Sequence, residues 1–505
     1  MKKYKRRLAL KLLLIFLLLL GFTATFSALW YKVVYGDTGF DSILFTLFGN
    51  NAGVEQGLVR NYLLKGLVPS VLCTAVAALL LFYRGKPVIS FKTKKGGRIT
   101  LLPLKEKLSV ITSLVISLIL IAQSSFAVGL PQWVFSKTEN STLIEEEYVF
   151  PQNTLISFPE KKHNLIYIFM ESMETSFMSK AMGGAMEKNL IPELYDLAGE
   201  NVNFSQNRGV GGWSTTTGTS WTIASLVAQT SGLIITSDGN EKNPRYGYLP
   251  GAITINDVLH DNGYYQTFMI GSDAAFGNRG LYYTQHKVDK IYDLSTAKQD
   301  GIVPDDYHAW WGMEDKYLYQ YAKKELLEIS KKNEPFAFSM LTVDTHHVDG
   351  YFCGECENKH KEQYSNVISC ASKQVADFVN WVKSQDFYEN TTIVIVGDHL
   401  SMDNEYIKRN ISSDYTRRVY NCIINSAIKT DNTKNRDFSP LDMFPTTLAA
   451  MGCKITGERL GLGVNLFSTV PTIMESRSRS FVMAELQKNS PFYKSNFLTP
   501  KARIE

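Results

Sequence analysis

Three stretches without a single charged side chain constrain this chain more than any other feature. They cover 12–31 (core LLLIFLLLLGF), 66–83 (core PSVLCTAVAALLLF) and 108–136 (led by SVITSLVISLILIA). Each is long enough to cross a hydrocarbon core of about 30 Å. Only a helix satisfies its own backbone in that medium without a closed barrel. The expectation is three membrane-spanning helices, at about 12–31, 66–83 and 108–128. A cleaved signal peptide is the competing reading of the first run. No small-x-small site follows it, and two more apolar runs come after.

Charge then sets the orientation. Residues 1–107 hold 17 Lys and Arg against 4 Asp and Glu, while the rest of the chain is net acidic and holds all 8 His. The basic residues sit before the first run (Lys2, Lys3, Lys5, Arg6, Arg7, Lys11) and between the second and third (Arg84 to Lys107). Positive loops stay cytoplasmic. The N-terminus and the 84–107 loop are therefore expected inside, and everything after about 130 outside. The segment 40–48 (FDSILFTLF) reads as an interfacial stretch or a plain loop. An acidic outer part argues against a nucleic-acid partner. The expected organisation is a membrane anchor at 1–130, a linker at 131–160, a catalytic domain at 161–470 and its C-terminal extension at 471–505.

Beyond the linker, short continuous apolar runs alternate with helical patterns. NLIYIFM (164–170), YYQTFMI (264–270), FAFSMLTV (336–343) and TTIVIV (391–396) read as buried strands. Helices are expected at 220–229, 255–261, 316–332, 372–385 and 440–451. Such alternation implies an α/β domain with a mostly parallel sheet covered on both faces. Ligands in such sheets bind beyond the carboxyl ends of the strands. Glu171 follows the first strand, Asp344, Thr345, His346 and His347 the third, and Asp398 and His399 the fourth. One carboxylate at a strand end is ordinarily a solvated or capping residue. Several at matching positions form the donor set of a divalent cation such as Zn²⁺ or Mn²⁺. The loop GGWSTTTGTS (211–220) precedes a helix and offers five threonines around it, any of which could be a nucleophile or a plain N-cap. Of six cysteines, five lie after 350. Cys353 and Cys356 form a C-x-x-C pair in a polar loop. The lack of a second such pair argues against zinc. In an oxidising compartment, a disulfide of Cys353 or Cys356 with Cys370 is expected.

The stretches NLIYIFMES (164–172), GTSWTIAS (218–225), FGNRG (276–280), LTVDTHHVDG (341–350), IVIVGDHLSMDN (393–404) and DMFPTTLAAMG (442–452) resemble the alkaline-phosphatase/sulfatase superfamily. More narrowly they resemble its membrane-bound phosphoglycerol transferases, which build lipoteichoic acid or decorate periplasmic glucans. The resemblance implies Glu171, Asp398, His399 and Thr219 as metal ligands, with Thr219 the nucleophile and Thr222 the alternative if the register slips by three. It implies Arg279 and His346 as phosphate-binding residues, with His347 as the fallback. The family's aromatic before the Asn-Arg pair is Gly277 here, and Phe276 could substitute. It implies one divalent metal ion, Mn²⁺ first and Zn²⁺ or Mg²⁺ as alternatives. The implied reaction moves glycerol phosphate from phosphatidylglycerol to a hydroxyl of an extracytoplasmic glycan through a phosphoglyceryl-threonine. Phosphoethanolamine transfer is the first alternative; a phosphodiesterase or a non-catalytic sulfatase-like binding module is the second. No C/S-x-P-x-R stretch for making formylglycine occurs, so sulfate-ester hydrolysis is not expected. No long additional C-terminal domain of the periplasmic-glucan type is expected.

Overall fold

The computed structural model describes residues 2–36, 39–48, 56–86, 88–92, 98–236, 242–243, 246–332 and 334–499. The chain separates into two compact units, one of Met1–Phe40 and Glu55–Val134, the other of Asp41–Val54 and Phe135–Glu505.

The first unit is built on helices α1 (Lys2–Tyr35), α3 (Val68–Phe82) and α4 (Glu106–Ala127); α2 (Phe40–Phe48) lies between the first two in sequence. Three helical segments, Tyr4–Tyr35, Gly57–Phe82 and Glu106–Ala127, are long and apolar enough to cross a membrane. Lipid gives no hydrophobic drive for helices to associate, so small side chains must allow close approach. On α4, Ser109, Ser113 and Ser117 repeat every four residues and are buried, and the last two donate to the carbonyl four residues back. A Cβ at Gly21 of α1 would sit 3.1 Å from Leu120 Cβ, so the two helices meet there at close range.

The second unit is an α/β domain. Its central sheet has strands β1 (Asn164–Met170), β2 (Gly212–Trp213), β3 (Tyr265–Ile270), β4 (Lys290–Tyr292), β5 (Phe336–Leu341), β6 (Thr391–Gly397) and β7 (Val419–Ile424). Their spatial order is β2-β7-β6-β1-β5-β3-β4. The β6-β1-β5-β3-β4 set is parallel, β7 pairs antiparallel with β6, and β2 pairs antiparallel with β7. Along β1, Leu165, Tyr167 and Phe169 enter one apolar core while Ile166, Ile168 and Met170 enter the other. A strand with side chains alternating into two cores must be apolar at every position, which explains its unbroken run. Helices α5 (Thr222–Ser231), α6 (Arg279–Gln285), α7 (Asp315–Ile329) and α8 (Gln363–Lys383) follow in sequence.

The region 131–160 contains helices Leu130–Thr138 and Leu143–Glu147 and a short strand Ile156–Ser157. Leu143, Ile144 and Tyr148 from it are buried in the core. The segment 40–48 forms a helix, and Phe45 of that helix packs against the same core.

Candidate active site

Register brings the first two functional groups together. Met170 of β1 pairs with Gly397 of β6, so the residues that leave the two strands, Glu171 and Asp398, emerge level and adjacent. The Asp398 N–H donates to Met170 O at 3.0 Å. On the other side of β1, Leu341 pairs with Phe169, and Thr342 Oγ1 accepts from Glu171 N–H at 3.0 Å. Ser172 turns the chain away with φ of 55°, a left-handed value that side-chain-bearing residues rarely hold without support. The support is Asp398 Oδ1, which accepts from Ser172 N–H at 2.8 Å and His399 N–H at 2.7 Å.

Glu171, Asp398 and His399 are all buried, and one ligand atom of each lies within 4.8 Å of the others. His399 Nε2 is 3.3 Å from Asp398 Oδ2 and 3.6 Å from Glu171 Oε1. His399 Nδ1 lies 2.9 Å from Leu400 O. With the proton on Nδ1 for that bond, Nε2 keeps its lone pair toward the carboxylates. Asp398 Oδ2 is buried with no hydrogen-bond partner. Burial pushes the Asp398 carboxyl up to about 7, and the charge of Glu171 adds to the push. Burial opposes ionisation of Glu171 too, but His399 and His346 pull that carboxyl below its ordinary value. Burial opposes protonation of His399, and the two acids outweigh it and raise its pKa. An orphaned carboxylate oxygen, a second buried carboxylate and an imidazole lone pair at one point fit a divalent cation with mixed O and N donors. The described residues therefore suit the metal implied by the sequence.

The threonine at this point is not the one expected first. Thr219 is fully buried in the preceding loop, where its Oγ1 donates to Thr216 O at 2.9 Å and accepts from Thr216 N–H at 3.0 Å. Its hydroxyl is thus occupied in closing a turn. Helix α5 begins three residues later, and Thr222 Oγ1 lies 3.3 Å from His399 Nε2. Thr222 is the first residue of that helix, where free backbone N–H groups and the helix dipole favour negative charge. One turn on, Ser225 Oγ donates to Asp398 O, and Gln229 Nε2 donates to Ser225 Oγ at 3.0 Å. Tyr167 OH on β1 donates to Gln229 Oε1 at 3.0 Å, which ties the helix to the sheet. Composition alone held no signal for Ser225 or Gln229.

Arg279, buried at the start of α6, is fixed by its own loop. Its Nε donates to Phe276 O at 2.9 Å and Nη2 to Ser272 Oγ at 3.1 Å. Burial lowers its pKa to about 10, which keeps it fully cationic at neutral pH, and Glu171 and Asp398 lie near enough to act on it. Phe276 packs under the guanidinium and faces Trp311, with a centroid separation of 5.7 Å. Gly277 has φ of +62°, and a Cβ there would meet Phe45 Cζ at 3.8 Å. The aromatic next to this glycine therefore comes from α2, where Phe45 also faces Trp221 at 5.5 Å, directly before Thr222. The sequence pattern carried no hint that α2 would reach the site.

His346 is half-buried and feels Glu171, His399 and Arg279. Its ring lies 4.4 Å from both Trp311 and His347. Burial holds its pKa below the ordinary histidine value. His347 is buried deeper, and burial with its two histidine neighbours keeps it neutral. Of the two histidines, His346 is the one on which the charge of Glu171 acts.

A sequence profile of the family described as sulfatase matches residues 163–453. Phosphoglycerol transferase I of Xanthomonas campestris pv. campestris (strain B100) is 31% identical over 268 residues, 51% of this chain and 36% of that protein. Phosphoglycerol transferase I of Escherichia fergusonii is 32% identical over 267 residues, 51% of this chain and 33% of that protein. The chain thus spans about a third of the length of these relatives. In three dimensions the lipoteichoic acid synthase LtaP from Listeria monocytogenes is similar with a TM-score of 0.50 at 17% identity, covering 65% of this chain and 82% of that one.

Proposed function

The chain belongs to the sulfatase family, and from that premise we propose that it is a membrane-anchored, metal-dependent transferase of glycerol phosphate from phosphatidylglycerol. Glu171, Asp398, His399 and Thr222 would hold the cation, whose Lewis acidity would make a threonine hydroxyl ionisable near neutral pH. Thr222 Oγ attacks the phosphorus of the donor diester, and diacylglycerol leaves as the P–O bond to it breaks. Arg279 and His346 would hold the non-bridging oxygens by charge-assisted hydrogen bonds as charge develops on them. The N-terminus of α5 favours the same anionic group. The phosphoglyceryl-threonine then passes its group to a glycan hydroxyl. Two displacements replace one hard step, which is the gain of covalent catalysis. The names of the two transferase relatives support the donor headgroup. The apolar helices keep the catalytic unit at a surface where a lipid donor resides. By the charge rule the N-terminus is cytoplasmic and the catalytic unit extracytoplasmic.

The observation that carries this reading is the convergence of Thr222 Oγ1, His399 Nε2 and the unpartnered Asp398 Oδ2 at one buried point. The test is diacylglycerol release by purified full-length protein from phosphatidylglycerol and from phosphatidylethanolamine. Release from phosphatidylglycerol that Thr222→Ala abolishes supports the reading. Release confined to phosphatidylethanolamine moves the donor to the alternative headgroup, and release that survives Thr222→Ala overturns the nucleophile.

A further inference from the structure

Away from the Glu171–Asp398–His399 site, three sulfurs converge. All six described cysteines are free thiols, so the expected staple between the C-x-x-C loop and Cys370 is not formed. Cys353 Sγ instead lies 3.4 Å from Cys356 Sγ and 3.9 Å from Cys370 Sγ, and all three sulfurs fall within 4.8 Å of one another. A disulfide needs its sulfurs at about 2.05 Å. Tetrahedral zinc with bonds of about 2.3 Å sets neighbouring thiolates about 3.8 Å apart. The observed spacings bracket the second figure. Cys353 and Cys370 are buried.

The C-x-x-C turn is closed by the Cys356 N–H, which donates to Cys353 O at 3.1 Å. The Lys316 ammonium is close enough to interact with Cys353. A dication with three thiolates leaves one net negative charge, and the nearby Lys316 ammonium is shared with Glu314, whose Oε1 lies 3.0 Å from it. Gln374 offers a fourth donor. Gln374 Nε2 lies 3.1 Å from Cys370 Sγ and 3.6 Å from Cys353 Sγ, and its Oε1 is buried without a partner. A half-turn of the amide exchanges the two atoms and aims the orphaned oxygen at the sulfurs. The sequence argued against zinc for want of a second C-x-x-C pair. Helix α8 supplies the missing donors, Cys370 and Gln374, one turn apart on one face.

We propose that Cys353, Cys356 and Cys370, with Gln374 as the oxygen donor, form a second metal site, a thiolate site for zinc. It joins the segment that carries His346 and His347 to α8, and occupancy keeps three adjacent thiols from oxidising. The site is independent of the reaction proposed above.

The test uses full-length protein in detergent, stripped of metal under reducing conditions and titrated with Co²⁺ alone. Wild type is expected to bind two ions, one of which gives thiolate-to-cobalt charge-transfer absorption in the near ultraviolet. Asp398→Asn should lose the other ion and keep that absorption. Cys370→Ser and Cys356→Ser should each lose the absorption and keep the other ion. Asp398→Asn isolated without added metal should retain one zinc per chain. Two results would overturn the proposal: no charge-transfer absorption in wild type with all three thiols titratable, or a disulfide among the three in protein isolated without reductant. Both are read on the wild type and depend on no variant folding.

Discussion

At the residue scale, the two threonines one turn apart make opposite predictions. Thr222→Ala removes the hydroxyl beside His399 and should lower turnover by about 10³-fold or more with the fold intact. Thr219→Ala removes the two loop hydrogen bonds and should cost roughly 1–3 kcal/mol of stability while leaving the chemistry in place. Chemical unfolding and diacylglycerol release on the two variants separate these outcomes. The sequence could not choose between them. Five threonines crowd the loop and helix start, and the resemblance fixed the register only to within one turn. What decides is where the helix begins, and that depends on Ser225 and Gln229 anchoring α5 to β6 and β1. Asp442 makes a separate prediction. Burial holds its carboxyl up at about 6, although Ser439 and Val464 N–H groups donate to it. A carboxyl raised above its unfolded value favours the folded state when protonated. Its contribution is present below about pH 4 and is lost as pH rises through about 6, worth roughly 3 kcal/mol. Wild type should therefore gain stability relative to Asp442→Asn on going from pH 7 to 5, as read from unfolding midpoints. A constant difference would contradict the assignment.

At the element scale, the loop that carries Asp398 and His399 is held by an ion pair whose carboxylate is buried. Glu174 is fully buried and accepts from Arg417 through both carboxylate oxygens, with Nε at 2.8 Å from Oε2. Both partners reach the loop: Glu174 Oε1 accepts from Ser401 N–H at 3.1 Å and Arg417 Nη2 donates to Ser401 O at 2.8 Å. Removing one partner of a buried pair leaves an uncompensated charge. Arg417→Ala should cost about 3–5 kcal/mol in chemical unfolding, by that principle, and the paired change Glu174→Gln with Arg417→Met much less. Equal losses in the two proteins would contradict the claim. The strands of the sheet were legible in the sequence because β1, β5 and β6 must be apolar on both faces. Helix α2 was not. Its nine residues are apolar nearly all round, so periodicity gave no face, and only the fold shows Phe45 beside Trp221 and Gly277. The Glu174–Arg417 pair was equally invisible, because the two residues lie 243 positions apart.

At the scale of the whole molecule, the sequence separates into a basic, apolar anchor and an acidic α/β unit, and the structure resolves two compact units. The three apolar runs, the mostly parallel sheet and the metal-ligand types at strand ends could all be read from pattern, because each follows from burial and topology. The contacts that bring Thr222 to His399 and gather the three cysteines could not, since they join distant segments. Chelation of the purified protein should abolish diacylglycerol release, and persistence of release after exhaustive metal removal would contradict the metal's role. The covalent role of Thr222 is read from the mass of the peptide containing it after incubation with headgroup-labelled phosphatidylglycerol and rapid quenching. A phosphoglycerol adduct on Thr222, absent from Thr222→Ala and still formed in Thr219→Ala, is the predicted result. Release of diacylglycerol with that peptide unmodified, or an adduct on Thr219, would contradict it.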